Sequence, residues 1–249
     1  AIPYPDLVAK MQSVISEEIK WQLAEKVGRD YPDYLIACIG GGSNAAGTIY
    51  HYMDDERVKI VLAEAGGHGW QTDHTAATIH KGTVGILHGA KMLVMQNEDG
   101  QIEEAFTISA GLDYPGVGPM HCNMAKKGRT EVLSINDDEA INGGYELTRM
   151  EGIIPAIESA HAIAADVLLL EQFSAFAEAE RHDGSYIVRR GDDDSMYVGF
   201  FYMVNERLVG HSAGIMHLLH VSLLVIDKIG YVGNGGDNIH VELAIKAFL

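Results

Sequence analysis

DYLIACIGGGSNAAGTIY, residues 33–50, is the stretch on which the fold turns. Residues 33–39 form a short, almost unbroken apolar run, the pattern of a strand buried on both faces. Gly40-Gly41-Gly42-Ser43-Asn44 follows, and the sequence then reads as helical to about Met53. Residues 58–63 repeat the buried-strand pattern. Strand, glycine turn, helix and strand make a βαβ unit, which implies a parallel sheet covered by helices. The predicted fold is therefore α/β, a mostly parallel sheet with helices on both faces.

The glycine turn also has a chemical reading. A loop of this kind gathers backbone N–H groups ahead of a helix and can hold a phosphate without a cationic side chain. Ser43 and Asn44 add side-chain donors. The alternative is a tight strand-to-helix turn that simply needs small residues. It is not a P-loop, because no lysine follows the glycines.

Outward from this unit, Leu7, Met11, Val14, Ile15, Ile19 and Leu23 recur at three- and four-residue spacing and predict one helix over residues 6–28. Residues 91–96 and 102–108 flank Asn97-Glu98-Asp99-Gly100 and read as a hairpin. Residues 130–135 read as a strand, with Asn136 capping a helix that opens on Asp137-Asp138-Glu139. A helix is expected from Glu158 or Ser159 to about Glu180, and another over residues 214–228.

Composition sets the outer bounds. The 249 residues carry 18 Lys+Arg against 35 Asp+Glu, a formal net charge of −17, with 47% apolar residues. Such a chain buries a core, and its field repels phosphate backbones, so nucleic acid is not an expected partner. The two cysteines, Cys38 and Cys122, fit neither a disulfide framework nor a cysteine zinc site and point to a reducing compartment. The first 13 residues do not read as a signal peptide, and the most apolar stretch, residues 213–226, is too short to span a bilayer. A cytoplasmic location is expected.

At this level of detail the chain resembles a known family. YPDLVAKMQSVISEEIKWQL (4–23), ACIGGGSNAAGTIY (37–50), AEAGGHG (63–69), GQIEEAFTISAGLDYPGVGP (100–119), INDDEAI (135–141) and EGIIPAIESAHA (151–162) resemble the tryptophan synthase β chain, a pyridoxal-phosphate (PLP) enzyme of fold type II. The resemblance covers about residues 3–165. This divides the chain into a PLP-phosphate-binding region, 1–165, and a divergent region, 166–249. The resemblance implies β-replacement of L-serine with indole to give L-tryptophan, the cofactor serving as electron sink. It implies that Gly40, Gly41, Gly42, Ser43 and Asn44 hold the cofactor phosphate, that Glu158 sits beside the cofactor ring, and that Asp113 acts in a lid-like segment. Carbonyls near Ile39, Leu112 and Tyr114 would border a monovalent cation, and an indole path would pass Leu87 and His88. Implied partners are L-serine, indole, the α chain and a second copy of the chain. On the residues alone, Glu158 also reads as a helix start and Asp113 as a turn residue. His68 and His161 read as structural.

Two features depart from the family. Its PLP lysine lies in a His-Lys-x-Asn motif of an N-terminal domain, a context none of the ten lysines here has, so the sequence reads as a C-terminal portion. Aligned on Arg190-Gly191-Asp192, the position of the serine that bonds the cofactor's ring nitrogen holds Val188, with Ser185 close by. The tail supplies a rival. Gly210-His211-Ser212-Ala213-Gly214 has the G-x-S-x-G form of a nucleophile elbow, which would make Ser212 the nucleophile, His240 the base and Asp227 the orienter of a serine hydrolase. Only 28 residues separate Ser212 from His240, which argues against that triad. A non-catalytic domain that binds a small anion or a partner is the further alternative. No metal site emerges: His217 and His220 lack a third ligand, and Asp192-Asp193-Asp194 reads as a solvated loop.

Overall fold

A computed structural model describes residues 3–176, 180–182, 185–187, 198–204, 220–231 and 241–248. Its centre is β1 (Tyr34–Ile39), buried along its whole length, and β2 (Lys59–Gly67), paired with it in parallel from Tyr34↔Lys59 to Ile39↔Glu64. Between them run α3 (Ser43–Ile49) and a single 3-10 turn, Tyr50–Tyr52. The expected βαβ unit is present. β6 (Thr130–Asn136) extends the sheet in parallel on the far side of β2.

Alternation along β1 and β2 sends side chains to two cores. Leu35, Ala37, Ile39, Ile60 and Leu62 pack under α2 (Val14–Val27), α3 and α5 (Pro119–Lys126). Ile36, Cys38, Val61, Ala63 and Ala65 pack under α6 (Asp137–Glu151) and α7 (Ile157–Phe176). Both faces are covered by helices, as the apolar runs require. On the other edge, β9 (Val198–Val204) joins β1 in parallel, and β10 (His220–Tyr231) and β11 (Val241–Phe248) follow in antiparallel register. The sheet order is β11-β10-β9-β1-β2-β6. Among the described residues, no helix is long and apolar enough to cross a membrane.

Four sequence expectations need correction. The first helix is two, α1 (Tyr4–Gln12) and α2, because the amide and hydroxyl of Ser13 both turn onto the Lys10 carbonyl and tighten the chain there. The hairpin sits earlier than expected. β3 (Thr83–Leu87) and β4 (Ala90–Val94) pair around His88-Gly89, while the Asn97–Gly100 turn closes only one bridge, Gln96↔Ile102. The long helix stops at Phe176, and Glu180 opens the short strand β7 (Glu180–His182), paired with β8 (Ser185–Ile187). Finally, residues 220–228 of the expected 214–228 helix are strand. The aliphatic run pairs on one side with β9 and on the other with β11, so long-range partners override local pattern.

Candidate active site

The C-terminal end of β1 opens into a cavity of about 910 Å³. Its walls include the loop Gly40–Asn44, Leu112 and Tyr114 from the segment leading into β5 (Gly116–Val117), His121 from α5, and Glu158 from the start of α7. Ligands of open α/β sheets bind in this place, outside the carboxyl ends of the strands.

Gly42 sets the loop's shape. Its φ of +107° is a left-handed conformation that favours glycine, and a Cβ there would overlap the His121 ring. The chain's first intrahelical bond after it runs from the Ala46 amide to the Gly42 carbonyl, at 2.9 Å. Among the described residues, no carbonyl accepts from the amides of Gly41, Gly42, Ser43, Asn44 or Ala45. The loop's own carbonyls are engaged instead. Gly41 O accepts from the Gly118 amide at 3.1 Å, and Gly42 O accepts from His121 Nε2 at 2.7 Å. Asn44 does not face an anion in this geometry: its side-chain amide turns back to the Cys38 carbonyl and thiol.

Cys38 and Glu158 also line the cavity. Burial, reinforced by the charge of Glu158, pushes the Cys38 thiol up to about 12. Burial also opposes ionisation of Glu158, but hydrogen bonds from its own amide and from Gly111, the latter at 2.8 Å, outweigh it and hold the carboxyl below the ordinary glutamate range. Glu158 is thus half-buried, tied to the 109–112 segment and charged, beyond a mere helix start. Asp113 is exposed and stands outside the cavity wall, between its two lining neighbours Leu112 and Tyr114. Leu87 and His88 do line the cavity, at the tip of the β3–β4 hairpin. His88 adopts φ +48° with Gly89 at +76°, and its Nδ1 shares a 2.7 Å hydrogen bond with the Tyr114 hydroxyl.

His121 was not singled out by the sequence reading. It is 2% exposed, and burial lowers its pKa against the opposing effect of the Gly42 bond. The other two histidines considered are structural. His161 Nδ1 donates to the Ile157 carbonyl within its own helix, and the exposed His68 packs edge-on to Phe106.

A family model described as pyridoxal-phosphate dependent enzyme matches residues 3–182. The chain belongs to that family. It is 74% identical over 163 residues to a protein of Bacteroides fragilis named tryptophan synthase beta chain, covering 66% of this chain and 42% of that one. The likeness to the tryptophan synthase beta chain of Phocaeicola vulgatus is 73% over 163 residues, 66% of this chain and 41% of the relative. The chain therefore spans about two-fifths of the length of these relatives. Maize serine racemase is a structural neighbour at TM-score 0.46 and 19% identity, covering 66% of this chain and 44% of its own.

The residues of the cavity fit one end of such a cofactor: unspent amides at the glycine loop and a charged carboxylate, Glu158, lining the same cavity. They do not provide its covalent anchor. The nearest echo of the lysine motif is His80-Lys81-Gly82-Thr83, and Lys81, the last residue of α4 (Thr78–Lys81), does not line the cavity, its Nζ donating to the Thr72 carbonyl and the Asp73 carboxylate. Val188, Ser212, His217, His240 and Asp192-Asp193-Asp194 lie outside the described residues. Of the positions named with them, Ser185 opens β8, His220 opens β10 and Asp227 lies within β10.

Proposed function

We propose that this chain supplies the phosphate-holding and ring-facing part of a tryptophan-synthase-type enzyme, one that replaces the hydroxyl of L-serine with indole to give L-tryptophan. The observation that carries the reading is the row of unspent amides at Gly41–Asn44, residues that line a 910 Å³ cavity, in a chain 74% identical over 163 residues to a tryptophan synthase beta chain. When bound, pyridoxal phosphate supplies the electron sink that lets a serine side chain leave.

The chain's own residues would do the rest. The amides of Gly41, Gly42 and Ser43 would bind the phosphate oxygens, which a chain of net charge −17 cannot attract at long range. Glu158, kept ionised and anchored on Gly111, would orient the ring and present a fixed negative charge beside it. Asp113, on an exposed turn next to two lining residues, would swing inward with a closing segment and exclude water. Leu87 and His88 would border the indole path. Carbonyls near Ile39, Leu112 and Tyr114 would border a monovalent cation. Covalent attachment belongs to a His-Lys-x-Asn motif that these 249 residues do not contain, so they would act as a cofactor grip rather than a self-sufficient catalyst. On this proposal residues 1–165 would form the cofactor-binding region of a cytoplasmic protein that partners an α chain and a second copy of itself. Exposed apolar side chains such as Tyr4, Met11, Ile86 and Ile154 support contact with further polypeptide.

The test is a spectroscopic and calorimetric titration of the protein with pyridoxal phosphate, competed by inorganic phosphate. Saturable binding at micromolar to low millimolar cofactor, displaced by phosphate, is expected. A protein that shows no saturation and no thermal shift with either compound is not a cofactor grip.

A further inference from the structure

The two carbonyls of the glycine loop are held by one neighbouring segment, and peptide geometry turns that into a consequence for the amides. In a trans peptide the C=O and the following N–H point in opposite directions. Fixing the Gly41 carbonyl therefore fixes the Gly42 N–H, and fixing the Gly42 carbonyl fixes the Ser43 N–H. The Gly118 amide does the first at 3.1 Å, and His121 Nε2 does the second at 2.7 Å. The Gly42 carbonyl also accepts from Ala46, so both its lone pairs are used and its plane has no freedom to rotate.

We infer that His121 is a positioning residue for the anion loop, holding the Gly42–Ser43 peptide with its N–H toward the cavity. The inference rests on the phosphate reading of that loop given above. The ring is suited to the task. Because a carbonyl can only accept, Nε2 must carry the proton. The Nδ1 atom is buried and, among the described residues, has no hydrogen-bond partner, so the neutral Nε2–H tautomer is the form this site accommodates. A neutral donor sets the peptide without adding a fixed charge of its own. Gly42 and His121 are matched in shape as well as bonding, since any side chain at 42 would occupy the ring's place.

Two substitutions of equal length separate bonding from packing. Gln at 121 can bring an N–H near the position of Nε2, whereas Met fills similar space with no donor. His121→Met should weaken binding of inorganic phosphate and of pyridoxal phosphate about tenfold, and His121→Gln by no more than about threefold, with both proteins folded by circular dichroism. A ligand-free readout stands beside this one: nitrogen-15 NMR of the wild-type imidazole should show Nε2 protonated and Nδ1 bare at neutral pH. His121→Met binding phosphate as tightly as wild type, or an Nδ1–H tautomer in wild type, overturns the inference. If His121→Met does not fold, the tautomer and the Gln variant decide. Wild-type protein that binds neither anion, while showing the Nε2–H tautomer, instead defeats the cofactor reading, and the brace then serves only the loop's shape.

Discussion

Three parallel strands end side by side at one end of the sheet, and they differ in how the amides beyond them find an acceptor. Beyond β2, the chain supplies the acceptor itself. Glu64, 1% exposed, takes the Ile79 amide at 2.5 Å, the His80 amide at 3.2 Å and His80 Nδ1 at 2.8 Å. Beyond β6, Asn136 and Glu139 cap each other's amides in a reciprocal box at 2.9 and 2.7 Å. Beyond β1, among the described residues, no carboxylate or amide oxygen accepts from the loop's amides, and the side chain bonded to the loop, His121, holds a carbonyl. A cluster of N–H groups is a site when the chain leaves its charge partner out and fixes its direction from behind. Two of these strand ends are closed internally, and one is left open.

Breaking the open end should have the largest effect. Gly42→Ala forces a Cβ into the His121 ring at a φ that alanine rarely adopts. Phosphate and pyridoxal phosphate binding should fall at least about 100-fold, on the order of 3 kcal/mol, by calorimetric titration. The same substitution at Gly128, where φ is +70° but nothing lies nearby, should cost about 1 kcal/mol of stability and leave binding alone. Equal losses of binding at the two positions would mean that the loop's geometry is not what holds the anion.

Glu64→Gln should act in the opposite way. It places an NH₂ against backbone donors in a buried position, and about 2 kcal/mol of stability should be lost in urea melts with binding unchanged. The pH dependence sharpens this. Burial pushes the Glu64 carboxyl above its ordinary 4.5, against the pull of its bonds to His80 and Ile79. A raised carboxyl favours the folded state fully below about 4.5 and loses that contribution as pH rises through the folded value, so wild type should lose stability relative to the Gln variant across that interval. A variant that instead loses phosphate binding would erase the distinction between the two strand ends. Smallest, Asn136→Ala should cost about 1 kcal/mol through the lost cap, again without touching affinity.

Much of this was legible in the sequence where the chemistry is local. Tyr34–Ile39 reads as a strand buried on both faces because a parallel strand has no solvent side, and Asn136 reads as a cap because its partner Glu139 is three residues on. The glycine loop was legible as a turn and as an amide cluster. The roles of Glu64 and His121 were not. Their partners lie 15–16 and 79 residues away, and no spacing rule connects them. The β10 strand was misread for the same reason: its partners, residues 198–204 and 241–248, are separate segments that decide between strand and helix. The β3–β4 turn escaped notice because its first position holds His88, a residue that rarely takes a left-handed φ.

Cys38 lines the cavity beside the glycine loop, its sulfur 3.7 Å from the side-chain amide of Asn44. With a thiol held near 12, roughly one molecule in 10⁵ carries a thiolate at neutral pH. An electrophile seated there would meet almost no competing thiolate from Cys38, so this part of the wall is chemically quiet despite its composition. That inertness leaves the fate of a reactive carbonyl to whichever amine is brought to it.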